Sequence, residues 1–139
     1  LLREPAMIVV VNRTRANADA IVAPYLNANP VAAMTASELM VQGQRFDCVI
    51  NATSASLAGA LPLPEAANVF APGALAYDMM YGKAPTIFMA WASQQGAERI
   101  ADGLGMLVEQ AAESYVQWRG TQPVTAPIIA RMRAELAAS

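Results

Sequence analysis

Apolar positions along the chain switch between two spacings, one of strands and one of helices. Met7-Ile8-Val9-Val10-Val11 is a continuous, largely β-branched run, the pattern of a strand covered on both faces. Residues 15–26 follow with Ala18, Ile21, Val22, Tyr25 and Leu26 on one helical face, and Thr14 stands as an N-cap. Pro30 and the run Val31–Met34 predict a second, weaker strand, and Ser37 to Gln42 a single helical turn. Phe46-Asp47-Cys48-Val49-Ile50 reads as another buried strand, ending at Asn51-Ala52-Thr53-Ser54. The segment 55–73, with three prolines and two glycines, reads as loop with room for one helical turn.

Ala74 to Met79 predicts a short strand. Residues 86–95 carry Ile87, Ala90 and Trp91 at helical spacing, with Gly96 to end the helix. Gly103 to Arg119 aligns Leu104, Leu107, Val108, Ala111 and Tyr115 on one face. A last helix, about 126–138, has Pro127 in its first turn and Ile128, Ile129, Met132 and Leu136 on its inner side. Strands alternating with helices across short connections predict a doubly wound α/β domain with a mainly parallel sheet. Ligands in such folds sit beyond the carboxyl ends of the strands, which directs attention to residues 12–15, 51–55 and 77–83.

Composition narrows the classes. The 139 residues are 55% hydrophobic and 14% charged, a globular balance rather than a disordered one. A formal charge of -2 argues against nucleic acid as a general partner. No apolar run approaches the ~18 residues needed to cross a bilayer, and the opening residues do not read as a signal peptide. The single Cys48 makes no internal disulfide, which fits a reducing cytoplasm, and its place in a strand reads as a buried, inert thiol. Without histidine, metal sites of the His/Cys type and histidine bases are excluded for this chain.

Four stretches could carry chemistry, each with an ordinary alternative. Asn12-Arg13-Thr14-Arg15 puts two guanidinium groups and a hydroxyl at a helix start with no acidic residue, which suits a 2′-phosphate better than a ribose hydroxyl. The same residues also suit an Asn turn with two solvated arginines. Asn51-Ala52-Thr53-Ser54 is small and polar enough for a cofactor to approach its backbone, or is a turn closed by Asx and Ser/Thr hydrogen bonds. Tyr81, after Tyr77-Asp78-Met79-Met80, would overhang the cleft or be an ordinary surface tyrosine. In Asp102-Gly103-Leu104-Gly105-Met106, two glycines are costly at a helix start, so close approach of a ligand to the backbone is one explanation. Met106 and Gln110 project together from that helix, as site residues or as the start of a solvated stripe. Asp19, Asp47, Asp78 and Asp102 are not spaced as a glycosidase or metal pair. By themselves these residues imply a nucleotide-binding α/β domain for NADP.

Taken in order, these stretches resemble shikimate dehydrogenase. Asn12-Arg13-Thr14 is similar to that family's NADP-discriminating motif, and Val49-Ile50-Asn51-Ala52-Thr53-Ser54 followed by Leu61-Pro62 to its next loop. Tyr77-Asp78-Met79 with Tyr81, then Ala101-Asp102-Gly103-Leu104-Gly105-Met106-Leu107-Val108 with Gln110, match its most distinctive part. The resemblance implies a Rossmann-like, doubly wound, mainly parallel sheet and the NADPH-dependent, reversible reduction of 3-dehydroshikimate to shikimate in aromatic amino-acid biosynthesis. It implies that Asn12, Arg13, Thr14 and Arg15 hold the adenosine 2′-phosphate and that Ala52, Thr53 and Ser54 line the cofactor. Met79, Gly103, Met106 and Leu107 would border the nicotinamide, and Tyr81 and Gln110 would reach the substrate.

One departure is Asn17, where the family usually has a second basic residue; Arg15 stands nearby. The family's glycine-rich turn, its first strand and its substrate domain with the catalytic Lys and Asp are expected before residue 1, with Leu1 to Glu4 the tail of a helix. The 139 residues are accordingly expected to form a partial NADP-binding domain, with helix 126–138 packing back toward that substrate domain. Strand edges at Val9 and Cys48 would be left open to self-association, and the chain alone would show no turnover. A quinate/shikimate dehydrogenase with broader cofactor use and a non-catalytic nucleotide-binding module are the competing readings.

Overall fold

A computed structural model describes residues 5–26 and 30–138. Leu1 to Glu4, expected as the tail of a helix, lie outside the described residues. The chain forms two compact units, Leu1–Gln44 and Arg45–Ser139.

In the first unit, β1 (Ile8–Val11) leads through α1 (Arg15–Val22) to β2 (Val31–Met34), and α2 (Ala36–Gln42) follows. The strands pair in parallel, Ile8 opposite Val31 through Val11 opposite Met34. Asn12 N–H extends the ladder by donating to the Met34 carbonyl at 3.1 Å. The expected helix 15–26 stops at Val22 and tightens into a 3-10 turn over Ala23–Tyr25. Pro24 is the cause, because it has no N–H to continue the ladder. Ala18 and Val22 are buried, but Ile21, Tyr25 and Leu26 of the expected face are more than half exposed. Two four-residue strands are too narrow to cover a whole helix face. β1 itself is half-buried rather than covered on both faces. The turn expected at Ser37–Gln42 is a full helix, α2, and its start signal lies two residues earlier, at Thr35. Thr35 and Glu38 form a capping box, each side chain satisfying the other's backbone N–H.

The second unit holds β3 (Phe46–Asn51), β4 (Phe70–Asp78) and β5 (Arg99–Asp102), parallel and in that order across the sheet. Helix α3 (Ile87–Gln94) links β4 to β5, α4 (Leu104–Arg119) follows β5, and α5 (Ala126–Ala138) ends the chain. β4 starts at Phe70, four residues ahead of expectation. Phe46 pairs with Phe70 but Cys48 with Leu75, so the extra residues around Pro72 and Gly73 sit in an irregularity of the ladder. Gly73 adopts φ 76°, which a side chain would resist. β5 was not expected, since Arg-Ile-Ala-Asp offers only two apolar residues.

The core gathers where α3 meets β4. Phe70 and Phe88 flank Trp91 at ring-centroid distances of 5.6 Å and 5.7 Å, in tilted contacts. Trp91 Nε1 donates to the Glu65 carbonyl at 2.8 Å, pinning the long β3–β4 connection. Ala74 and Ala76 on β4 are fully buried. The buried face of α3 is Phe88, Trp91 and Ala92, so Ile87 and Ala90 belong to the outer side. On α4 the buried residues are Leu104, Val108 and Ala112, while Ala111 and Tyr115 of the expected face are exposed. α5 buries no residue fully; Ile129, Met132 and Leu136 are half-buried and Ile128 exposed.

β3 was expected to be buried and is not. Cys48 is an exposed free thiol, and Ile50 is 60% exposed. β3 pairs only with β4, and β1 only with β2, among the described residues. Within its own unit each is an edge strand.

Candidate functional site

Three polar residues end the three strands of the second unit, side by side. Asn51 lies opposite Asp78 in the β3–β4 ladder, and Asp78 opposite Asp102 in the β4–β5 ladder. Apolar strand interiors give way to this polar row at the carboxyl edge, where parallel α/β sheets receive ligands.

Asp78 is the hub. Its side chain is fully buried, and Oδ1 accepts from Asn51 Nδ2 at 3.2 Å and from the Met80 N–H at 3.0 Å. Oδ2 accepts from Thr86 Oγ1 at 2.6 Å. Thr86 Oγ1 in turn accepts the Met89 N–H, capping α3. Asn51 Oδ1 accepts from the Thr53 N–H at 3.1 Å and from Thr53 Oγ1 at 2.8 Å, and Thr53 Oγ1 accepts the Ala55 N–H. The loop is thus closed by the Asx and Thr hydrogen bonds its composition allows, and Ala52, Thr53 and Ser54 remain exposed. Sequence spacing did not single out Asn51, Asp78 or Thr86 for this role. The available signal was an Asn and an Asp, each ending an apolar run.

Gly103 makes the next junction. A Cβ built on it would lie 2.0 Å from the Met79 carbonyl oxygen and 2.6 Å from its carbon, and Gly103 N–H donates to the Met80 carbonyl at 3.2 Å. The close approach expected at this glycine is therefore made by the chain's own backbone. At Gly105 an added Cβ would meet nothing within 4 Å. Tyr81 is 38% exposed and Met79 39% exposed. Gly103 is buried, Met106 and Leu107 half-buried, and Gln110 exposed, all at or after the start of α4.

Asp102 fixes the start of α4 and the last helix together. Oδ1 accepts the Leu104 N–H at 3.2 Å, and Arg133 clamps the carboxylate with Nη1–Oδ2 at 2.6 Å and Nη2–Oδ1 at 2.7 Å. The guanidinium, with the Leu104 N–H, holds the Asp102 carboxyl below the usual range against the opposing effect of burial. Burial, and then the Asp102 charge, raise the Tyr77 phenol. A depressed carboxyl pKa contributes stability above the unfolded value near 3.8, and loses it as pH falls through the lower folded value. Helix α5 is accordingly expected to loosen on acidification below about pH 4. With Arg133 47% exposed, the contribution is about 1 kcal/mol. Amide protection along α5, taken relative to the intrinsic exchange rate at each pH between pH 5 and pH 3, measures it, and Arg133→Gln should reduce its pH dependence.

In the first unit, the Asn12 side chain accepts the Thr14 N–H at 2.9 Å, turning the chain into α1. Thr14 occupies the N-cap position with extended backbone but makes no capping side-chain bond. Arg13 is exposed and makes no ion pair among the described residues. Arg15 is engaged, through Nε to Asp19 at 2.9 Å and Nη1 to Glu38 at 2.8 Å. A free guanidinium beside a helix start fits an anion, while the exposed small residues 52–54 and the open space at Gly105 fit a flat ligand lying on backbone.

Parallel strands joined through helices, with polar loops at their carboxyl ends, define an α/β module of the Rossmann-like class. Residues 103–135 match the shikimate 5'-dehydrogenase C-terminal domain. Over 139 residues the chain is 52% identical to a shikimate dehydrogenase (NADP(+)) of Dechloromonas aromatica, covering 99% of this chain and 49% of that protein. An Ael1 enzyme from Pseudomonas putida superposes with a TM-score of 0.79 at 43% identity, over 91% of this chain and 45% of that one. Shikimate 5-dehydrogenase from Thermus thermophilus, in complex with NADP(H) and shikimate, gives 0.71 at 25% identity, over 91% and 45%. Over nearly its whole length the chain is similar in sequence to shikimate dehydrogenases, and it spans about half the length of the curated relatives it matches. Among the described residues no helix is long and apolar enough to cross a membrane.

Proposed function

We propose that this chain is the NADP-binding portion of a shikimate dehydrogenase, an oxidoreductase that reversibly reduces 3-dehydroshikimate to shikimate in the cytoplasm. In the first unit, Arg13 and Thr14, on the turn made by Asn12 and beside Arg15, would receive the adenosine 2′-phosphate. In the second unit, Ala52, Thr53 and Ser54 would line the cofactor, and Met79, Gly103, Met106 and Leu107 would border the nicotinamide. Tyr81 and Gln110 are the exposed polar groups that would reach shikimate. When bound, NADPH supplies the hydride; the residues of this chain bind and orient. None is assigned a proton transfer, and α5 would face the substrate domain.

The observation that carries this reading is the in-register row Asn51, Asp78 and Asp102. It holds three otherwise separate segments, 52–54, 79–81 and the start of α4, at one edge of one sheet. Titrating the purified chain with NADPH and with NADH, followed by nicotinamide fluorescence, is expected to show saturable binding, tighter for NADPH. The chain alone is expected to give no shikimate-dependent NADP reduction. Equal affinity for the two cofactors would favour a quinate/shikimate dehydrogenase of broader cofactor use, and no binding would refute the reading. Self-association through the edges of β1 and β3 would appear as concentration-dependent sedimentation.

A further inference from the structure

Arg13 and Arg15 are two residues apart, yet the structure treats them differently. The Arg15 guanidinium is held at two of its nitrogens, Nε by Asp19 and Nη1 by Glu38. Glu38 is itself fixed at its second oxygen, which accepts the Thr35 N–H at 2.6 Å and Thr35 Oγ1 at 3.0 Å. The carboxylate is therefore oriented toward Arg15 by the capping box of α2, and its pKa is lowered first by those Thr35 bonds and then by Arg15. One cation and two anions form the cluster, so the charge of Arg15 is already met by carboxylates, while among the described residues that of Arg13 is not. A phosphate monoester brings roughly two further negative charges at neutral pH. Such a group is attracted by Arg13, whereas Arg15, with Nε and Nη1 held by carboxylates, has Nη2 left to offer it.

Resting on the reading of Arg13 and Thr14 as the 2′-phosphate site, we propose that Glu38 is a specificity-determining residue. By holding Arg15 at Nη1, it weakens the preference for a 2′-phosphorylated dinucleotide over the unphosphorylated one. In this proposal Glu38 acts as a positioning residue, through Arg15.

The test is the ratio of NADP to NAD affinity, measured calorimetrically on this chain. Glu38→Gln keeps an amide oxygen for the Thr35 N–H, because glutamine serves at that position of a capping box, so α2 should survive; circular dichroism checks it. The variant is expected to raise the NADP:NAD ratio about fivefold, the scale of an exposed ion pair, with NAD affinity unchanged. The gain should shrink in 0.5 M salt, where screening acts within a few ångströms. It should vanish when Arg15→Gln is added. An unchanged or lowered ratio in Glu38→Gln overturns the proposal, as does a gain that survives loss of Arg15. If the starting chain binds NADP preferentially and Glu38→Gln alters nothing, this inference fails and the cofactor reading stands. If neither chain binds either dinucleotide, both fail together.

Discussion

Replacing Gly103 with alanine is expected to destabilise the second unit by about 3 kcal/mol or more, at the upper end of overpacking costs. The added methyl would lie 2.0 Å from the Met79 carbonyl oxygen and 2.6 Å from its carbon. Both are backbone atoms, tied down because the Met79 N–H donates to the Asn51 carbonyl and the Met80 carbonyl accepts from Gly103 itself. No flexible side chain can swing away, so β4 or the start of α4 must shift. Gly105→Ala, two residues on, is the internal contrast. Its methyl meets nothing within 4 Å, and alanine is the better helix former by up to about 1 kcal/mol. Urea denaturation should therefore move the midpoint down for one and slightly up for the other. The same Gly105→Ala chain should bind NADPH less well if that open space receives the cofactor. An unchanged midpoint in Gly103→Ala would show that the junction is looser than described.

Asp78→Ala is expected to cost about 3 kcal/mol, the range for removing the acceptor of a buried polar cluster. Three donors lose this partner at once: Asn51 Nδ2, the Met80 N–H and Thr86 Oγ1. Asp78→Asn should cost less than half as much. Its carbonyl oxygen can take the place of Oδ1, and its amide can donate to Thr86 once that hydroxyl turns. Site-resolved amide exchange should show Thr53, Met80 and Met89 opening together in Asp78→Ala, since each is bonded within the same network. Exchange that rises at one of the three alone would mean the segments are held independently.

How far the candidate site can be read from sequence differs between its parts. Arg13, Thr53, Tyr81, Met106 and Gln110 stand out as polar or flexible groups where strands and helices change over, a local property. The Asp78 hub does not, because Asn51, Asp78 and Asp102 are 27 and 24 residues apart and become neighbours only through parallel pairing. Gly103 reads as a glycine meant for a ligand until the Met79 backbone is seen against it. Arg15 reads as a spare cation until Glu38, 23 residues away, is found on it. Cys48 reads as buried because strand composition reports what a strand can bury, not whether anything covers it.

The sequence by itself determined the class of the fold and nearly every element. β-branched runs, helical spacing, Thr caps and proline stops are local, and each acts within a few residues. Tertiary structure alone decided the length of β4, the existence of β5, the exposed side of β3 and the partners of Asp78, Asp102 and Arg15. These depend on strand register and on charges brought together from distant positions, and no window of neighbouring residues contains that information.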